Sequence, residues 1–437
     1  LPPELGRAPL VAKAVLAPTT YFAIMPLPGK LAVGDLTNAG EVVGVAYDEA
    51  VTSRTSDFYW APGDPTVTPL PTVPVPGLDF PVRANEAGTV VGTTNDCDQP
   101  IFDYCAYAWS TSEGRKDLYP LSDHRRSAAY DVNDVGMVVG QSILPGGGSA
   151  TLWRLPEGFV EYIGPPGLEG EPYSSVARAI NNAGVVVGQA KLADFSLAPF
   201  RWSASDGFQV LTALQTAIRA VATASGRFVG RISPLAINES GIVVGFWESF
   251  SPRKLNAFVW DPTTGLTDIN ALGGFRDAVA SDVNELGQVA VYVYVAAGEE
   301  AWVWSPMDGL VRLPEPDPGR TRTSAINDGS QTAGHTLDLQ AVVWTPLDDA
   351  GELLDVLEDE LSDVLTTNPA AGGQGLEAKL ARIQEHLAAG RATAARNQLN
   401  AFLNQLAAME ADGRLSAEDA ARLRAAAEAI LALLDEA

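Results

Sequence analysis

Three aspartates, Asp35, Asp131 and Asp282, occupy the same place in a recurring segment, a few residues ahead of a polar turn. Acidic side chains set around an axis could hold calcium through their oxygens, or two of them could share proton transfer on a glycosidic bond. Arg83 and three alanines fill the other equivalent positions, so a ligand ring would be incomplete, and the simpler reading is that each acid accepts local backbone hydrogen bonds. A second acidic group, Asp96, Asp98 and Asp103, lies in NDCDQPIFDYCAY beside Cys97 and Cys105. It offers a loop clamp for calcium without the spacing of an EF-hand. The two cysteines are close enough to clip that loop as a disulfide, and no further cysteine or nearby histidine completes a zinc site. In GFWESFSPRK, Trp247 with Phe246, Phe250 and Arg253 could stack on a sugar or a protein, although packing on a neighbouring element would use the same tryptophan.

Other chemistry is sparse. His124, His335 and His386 fall in unrelated segments, and no GxSxG elbow, HExxH helix, Walker loop or paired CxxC is present. The glycines at 146–148 lack the following helix that a phosphate cradle needs. A formal charge of -25 disfavours nucleic acid, whose binding relies on clustered cations. No apolar run is long enough for a membrane span.

The elements that would position these residues come from an internal repeat. GDLTNAGEVVG ends at Gly44, VRANEAGTVVG at Gly92, YDVNDVGMVVG at Gly140, ARAINNAGVVVG at Gly188 and LAINESGIVVG at Gly245; weaker copies end at Val291 and Gly334. The spacings are 48, 48, 48, 57, 46 and 43 residues. A tryptophan follows each copy: Trp60, Trp109, Trp153, Trp202, Trp260, Trp304 and Trp344. One repeat position for seven of the nine tryptophans marks them as packing residues between units. Asn85, Asn133, Asn181, Asn238, Asn284 and Asn327 read as turn formers, and the glycine after each suits a left-handed turn. Four short runs per unit match a propeller blade. The seventh unit lacks its fourth strand, and TTYFAIMPLP near the N-terminus supplies one, so residues 19–27 are expected to complete the blade of Trp344.

The fold class expected is therefore mainly β: a seven-bladed β-propeller closed by an N-terminal strand, followed by a small C-terminal α-helical bundle. The expected domains are an extension over 1–18, the propeller over 19–347, a helix and linker over 348–374, and a three-helix bundle over 375–437. Leu354, Leu357, Leu361 and Val364 give the first helix its apolar stripe. Gly390 and Gly413 suit helix stops, and Ser416 with Asp419 suits a helix start.

INNAGVVVG followed by APFRW resembles the HAF-type extracellular repeat, here with variants such as NAFVW. The resemblance covers about residues 19–346 and implies a bacterial secreted or surface protein with no catalytic set to carry over. LEAKLARIQEHL with NQLNAFLNQLAAM and LSAEDAARLRAAAEAIL resembles the FIMAH-type helical module of bacterial secreted proteins, which implies attachment, association or spacing. The opening LPPELGRAPLVAKAVLAP has no signal-peptide pattern, as expected if a signal has already been removed. The function expected is a secreted, non-enzymatic scaffold or interaction module at the cell surface, with an extracellular protein or glycan as partner and self-association through the helical tail or a propeller face. It requires no cofactor, with calcium an option. The alternatives are a polysaccharide-active enzyme and a glycan-binding module.

Overall fold

The fold was read from a computed structural model that describes residues 22–48, 54–73, 75, 81–122, 124–145, 147–156, 158–168, 175–250, 252–314, 320–346, 350–369 and 372–436. The β-branched runs that follow each Asn-x-x-Gly turn form strands, and these assemble into seven antiparallel sheets of four. Blades 1 to 6 span residues 31–69, 83–118, 126–162, 175–210, 228–268 and 277–312. Blade 7 contains Thr321–Ile326, Thr332–Thr336 and Ala341–Pro346, and its outermost strand is Phe22–Pro26 from the far end of the chain. The Leu27 N–H donates to Ala341 O at 2.9 Å, continuing that pairing beyond the strand. Residues 19–21 and 1–18 lie outside the described residues.

The core sits between neighbouring blades. Blade 1 packs Leu31, Val33, Phe58 and Trp60 against Ala325, Ala333, Ala341 and Val343 of blade 7. Trp153 of blade 3 lies among Val91, Ala106 and Leu118 of blade 2, and Trp202 of blade 4 among Val139, Ala150 and Leu152 of blade 3. Each repeat tryptophan in these clusters thus buries its ring against the preceding blade.

Two kinds of glycine explain the repeat motif. Gly40, Gly88, Gly136, Gly184, Gly241 and Gly287 close the turns at φ between 74° and 80°, and Ser330 takes the place at 59° in blade 7. The glycine ending each VVG run answers a different need. A Cβ at Gly44, Gly140, Gly188, Gly245 or Gly334 would fall 2.0–2.1 Å from a carbonyl oxygen of the adjoining inner strand. A β-bulge lies at this level of the pairing, as at Val33/Asp35 and Ala129/Asp131.

The 57-residue spacing has a structural cause. Between blades 4 and 5 the chain forms α1 (Thr212–Ala224), whose Leu214, Ile218 and Ala222 pack in one cluster with Ile232, Trp247 and Phe258. A short α2 (Ile269–Gly273) follows blade 5, capped by Asp268, whose carboxylate accepts the Ala271 N–H.

A second compact unit contains α3 (Ala350–Thr367), α4 (Gln374–Ala388), α5 (Ala392–Ala411) and α6 (Ala417–Glu436). Its single core joins Leu353, Leu357 and Leu361 of α3 to Leu380, Phe402, Leu406, Leu423 and Ile430. Among the described residues four helices share this core: α3, which the sequence sets apart behind a Gly-rich linker, joins its apolar stripe to the other three. No helix among the described residues is long and apolar enough to cross a membrane.

Candidate functional site: the two mouths of the central channel

The inner strands surround a channel with chemically different ends. One mouth is formed where these strands enter their Asn-x-x-Gly turns. Here each asparagine of blades 2 to 7 does two jobs. Its Oδ1 accepts a backbone N–H four residues on, as from Thr89 to Asn85 at 2.8 Å and from Met137 to Asn133 at 2.8 Å. Its Nδ2 donates to the backbone carbonyl at the equivalent position of the next blade. The chain of bonds runs Asn85 to Asn133, Asn181, Asn238, Asn284, Asn327 and finally Thr37, at 2.8–3.1 Å. Thr37 is the blade 1 substitute, and its Oγ1 keeps the local bond by accepting the Glu41 N–H at 3.2 Å.

One residue later a second belt runs around the rim. The side chains of Glu86, Asp134, Asn182, Glu239, Glu285, Asp328 and Asn38 each accept the backbone N–H of the equivalent residue on the preceding blade, closing a complete circle. The amides of Asn38 and Asn182 also donate to Asp328 and Asp134, separating some of the charges. Burial, followed by repulsion from neighbouring acids, pushes the carboxyls of Glu86 and Glu285 above the usual range despite the N–H each accepts.

The three repeat aspartates lie deeper, at the inner-strand bulges. Asp35 accepts from Leu36 N and Ala84 N at 2.9 and 3.0 Å; Asp131 accepts from Val132 N and Ile180 N at 2.9 and 2.8 Å; Asp282 accepts from Val283 N and Ile326 N at 2.9 and 2.9 Å. Each carboxylate therefore bridges its own strand to the next blade. Burial dominates their protonation: Asp131 and Asp282 are pushed up to about 7, and Asp35 is also raised, with the Arg83 guanidinium opposing the shift. Arg83 donates to Gly34 O across the same boundary.

Neither acidic set fits calcium. Among the described residues, the one trio of candidate ligand atoms within 4.8 Å of one another is Cys97, Cys105 and Asp117, and the two sulfurs are joined in a disulfide. Asp96, Asp98 and Asp103 turn to arginines instead. Arg115 approaches Asp96, Asp98 and Asp117 at 3.6, 3.8 and 3.1 Å, and Arg126 pairs with Asp103 at 2.7 Å. Guanidinium charge thus occupies the place expected for a cation.

The stacking set is split between core and surface, with Trp247 in the core and Arg253 keeping 70% of its side chain exposed. Trp247 is fully buried under α1, because both faces of a propeller sheet are covered and α1 adds a further lid. Phe250 stays 45% exposed, while Arg253 is held by Glu248 at 2.5 Å. His124 is buried with Nδ1 3.0 Å from Ser122 O, and His386 lies near the end of α4.

At the opposite mouth is a cavity of about 480 Å³ that the sequence did not announce. Its wall includes Gly34, Val82, Tyr130, Arg178, Leu235, Ser281 and Ser324, the residues immediately before the Asp35 position of each blade. In six blades this residue is the one that the bulge skips. Arg178 lies 4.7 Å from the centre of the Tyr130 ring, and Arg322 lies 4.2 Å from that of Tyr292. His335 also lines the cavity. Its Nδ1 accepts the Val33 N–H at 3.2 Å, and burial aided by Arg322 lowers its pKa to about 3. The sequence signal is weak: this column takes six residue types in seven blades, but so does the column after the turn glycine, from Glu41 to Gln331.

Residues 365–432 match the FIMAH domain family. The FIMAH domain thus begins near the end of α3 and takes in α4, α5 and most of α6. No curated protein matches the chain. Solved structures similar to it include virginiamycin B lyase from Staphylococcus aureus, at 8% identity and a TM-score of 0.48 over 75% of this chain and 100% of that one. A streptogramin B lyase aligns at 9% identity and a TM-score of 0.47 over 76% and 99%. The β-propeller domain of Cps50 (Swd1) from Myceliophteria thermophila aligns at 11% identity and 0.44 over 75% and 99%.

Proposed function

We propose that this protein is a secreted, non-enzymatic scaffold or interaction module: a rigid propeller carrying a FIMAH domain that mediates attachment or self-association at a bacterial cell surface. The observation that carries the reading is the use made of the polar residues at the Asn-lined mouth. Asparagines, rim acids and repeat aspartates all spend their hydrogen bonds on joining one blade to the next. The Cys97–Cys105 disulfide supports an oxidising, extracellular setting, as does the resemblance of the repeats to HAF-type extracellular sequences. An extracellular protein or glycan is the partner this role calls for.

A polysaccharide-active enzyme is the second reading, favoured by one fact. Asp131 and Asp282, pushed up to about 7, would suit proton transfer at neutral pH. Against it, both oxygens of each already accept backbone N–H groups.

Chemical cross-linking of the intact protein on the surface of the producing cells, read by mass spectrometry, tests the proposal. A reproducible set of links from the propeller or the FIMAH domain to one partner, or to a second copy, is the expected result. Absence of such links together with turnover of an extracellular polysaccharide that Asp282→Asn abolishes would overturn it.

A further inference from the structure

The repeat supplies its own internal comparison. Apart from Thr37 and Ser330, the blades repeat Asn and Gly at the turns, whereas the bulge position takes six residue types in seven blades: Gly34, Val82, Tyr130, Arg178, Leu235, Ser281 and Ser324. Bulges re-aim side chains, and here they bring this column to the wall of the opposite mouth, away from the asparagine turns. Ring closure is handled at the other end by the asparagine and acid belts, so this column is not needed for it.

The charge at this mouth runs against that of the chain. In a protein of net charge -25, Arg83, Arg178 and Arg322 all line the same cavity. Among the described residues Arg178 has no carboxylate within ion-pair distance and rests on the Tyr130 face; Arg322 meets Glu299 only at 3.8 Å and rests on Tyr292. Holding guanidinium groups in a recess without close carboxylates is costly unless an anion arrives to complete them. The two stacked pairs belong to blades 3 and 4 and to blades 6 and 7, on separate arcs of the ring. Tyrosine faces suit a ring with apolar C–H edges, and planar guanidinium forks suit a carboxylate. A volume of about 480 Å³ falls within the range of small-molecule sites.

We propose that the mouth lined by Arg178 and Arg322 binds a carboxylate-bearing sugar, a uronic acid at the end of a glycan or free in solution, with the two arginines on the carboxylate and the tyrosines against the ring. This goes beyond the scaffold role and stands or falls without it.

Isothermal titration of the intact protein at low salt with glucuronate, galacturonate and digalacturonate tests it, with glucose, galactose and inorganic phosphate as comparisons. At least one uronate should bind while the neutral sugars do not. Arg178→Gln and Arg322→Gln should each weaken it by about tenfold or more, and Arg201→Gln, at an exposed outer site, should not. Arg178→Lys and Arg322→Lys keep the charge and serve if a glutamine variant fails to fold; each should weaken binding less than full removal of charge, but measurably, because the fork is lost. No uronate binding, equal binding of neutral sugars, phosphate binding as tight as the uronates, or affinity indifferent to every arginine variant would overturn the proposal. Digalacturonate binding where the monosaccharides fail would identify the glycan end as the source.

Discussion

The side-chain amide of Asn327, on the last blade, donates to the backbone carbonyl of Thr37, on the first, at 2.9 Å across 290 residues of sequence. It is one of six equivalent links, and the seventh is missing because threonine has no amide to reach Asn85. Thr37→Asn should supply it. The variant is expected to gain about 1 kcal/mol in urea unfolding, as one more buried hydrogen bond would give. Asn133→Ala should lose roughly 2–4 kcal/mol, since it removes both the turn bond and the link to Asn181.

The glycine ending each repeat is set by space. At Gly188 a methyl group would meet Val176 O at 2.1 Å, so Gly188→Ala must push two paired strands apart. A loss of roughly 3 kcal/mol is expected, measurable by chemical denaturation. Gly114→Ala, with open space around it but a φ of 71°, should cost less, about 1 kcal/mol.

Buried acids give the propeller an inverted response to pH. Folded Asp131 and Asp282 titrate at about 7, whereas unfolded carboxyls titrate at about 4. Between those values the folded state holds protons that the unfolded state has released. Their contribution is therefore fully present below about pH 4 and is lost as pH rises through 7. His335 works in the other direction: with its folded value at about 3, its contribution is present above the unfolded value and falls away on acidification. The melting temperature should be higher at pH 6 than at pH 8.5. The double variant Asp131→Asn, Asp282→Asn should be less stable at pH 6 but show a flatter profile over this interval; an unchanged slope would contradict the assignment.

Closing the loop between Cys97 and Cys105 restrains a short segment that Arg115 also holds through Asp98. Replacing both cysteines with alanine should cost about 2–3 kcal/mol by loop entropy and increase proteolysis near residue 100. Arg115→Ala in that background should lose more than the sum of the two single effects, because either tether partly covers for the other.

Phe402 is fully buried at the centre of the helical core. Phe402→Ala should remove about 3–5 kcal/mol from that unit. Calorimetry should then resolve an early helical transition while the propeller transition stays in place, as expected for two units with separate cores.

Much of the ring was legible because its signals are local. Asn-x-x-Gly turns and VVG runs recur in register, and the strand at Phe22–Pro26 could be matched to the blade that lacked one. For Trp247 the sequence left packing and stacking both open, because exposure is not written in strand alternation when both sheet faces are covered; the ring packs in the core. The helix α1 hid inside an insertion whose length alone was visible. The second role of the asparagines was illegible for a different reason: a bond from Asn85 to Asn133 depends on ring curvature, which no single unit encodes. The same holds for Arg178 and Arg322, which lie far apart in sequence and line one cavity only once the ring is closed.

The N-terminal strand has to wait for its mate. Phe22–Pro26 precedes all the other strands of the ring, yet the strand it joins, Ala341–Pro346, emerges some three hundred residues later. Until then blade 1 has no neighbour on one flank, and the strand Phe22–Pro26 offers bare backbone to any passing chain. Biogenesis of the propeller is therefore all-or-nothing at its final stitch: a nascent intermediate can hold six finished blades and still be an open arc, vulnerable to pairing with another of its kind.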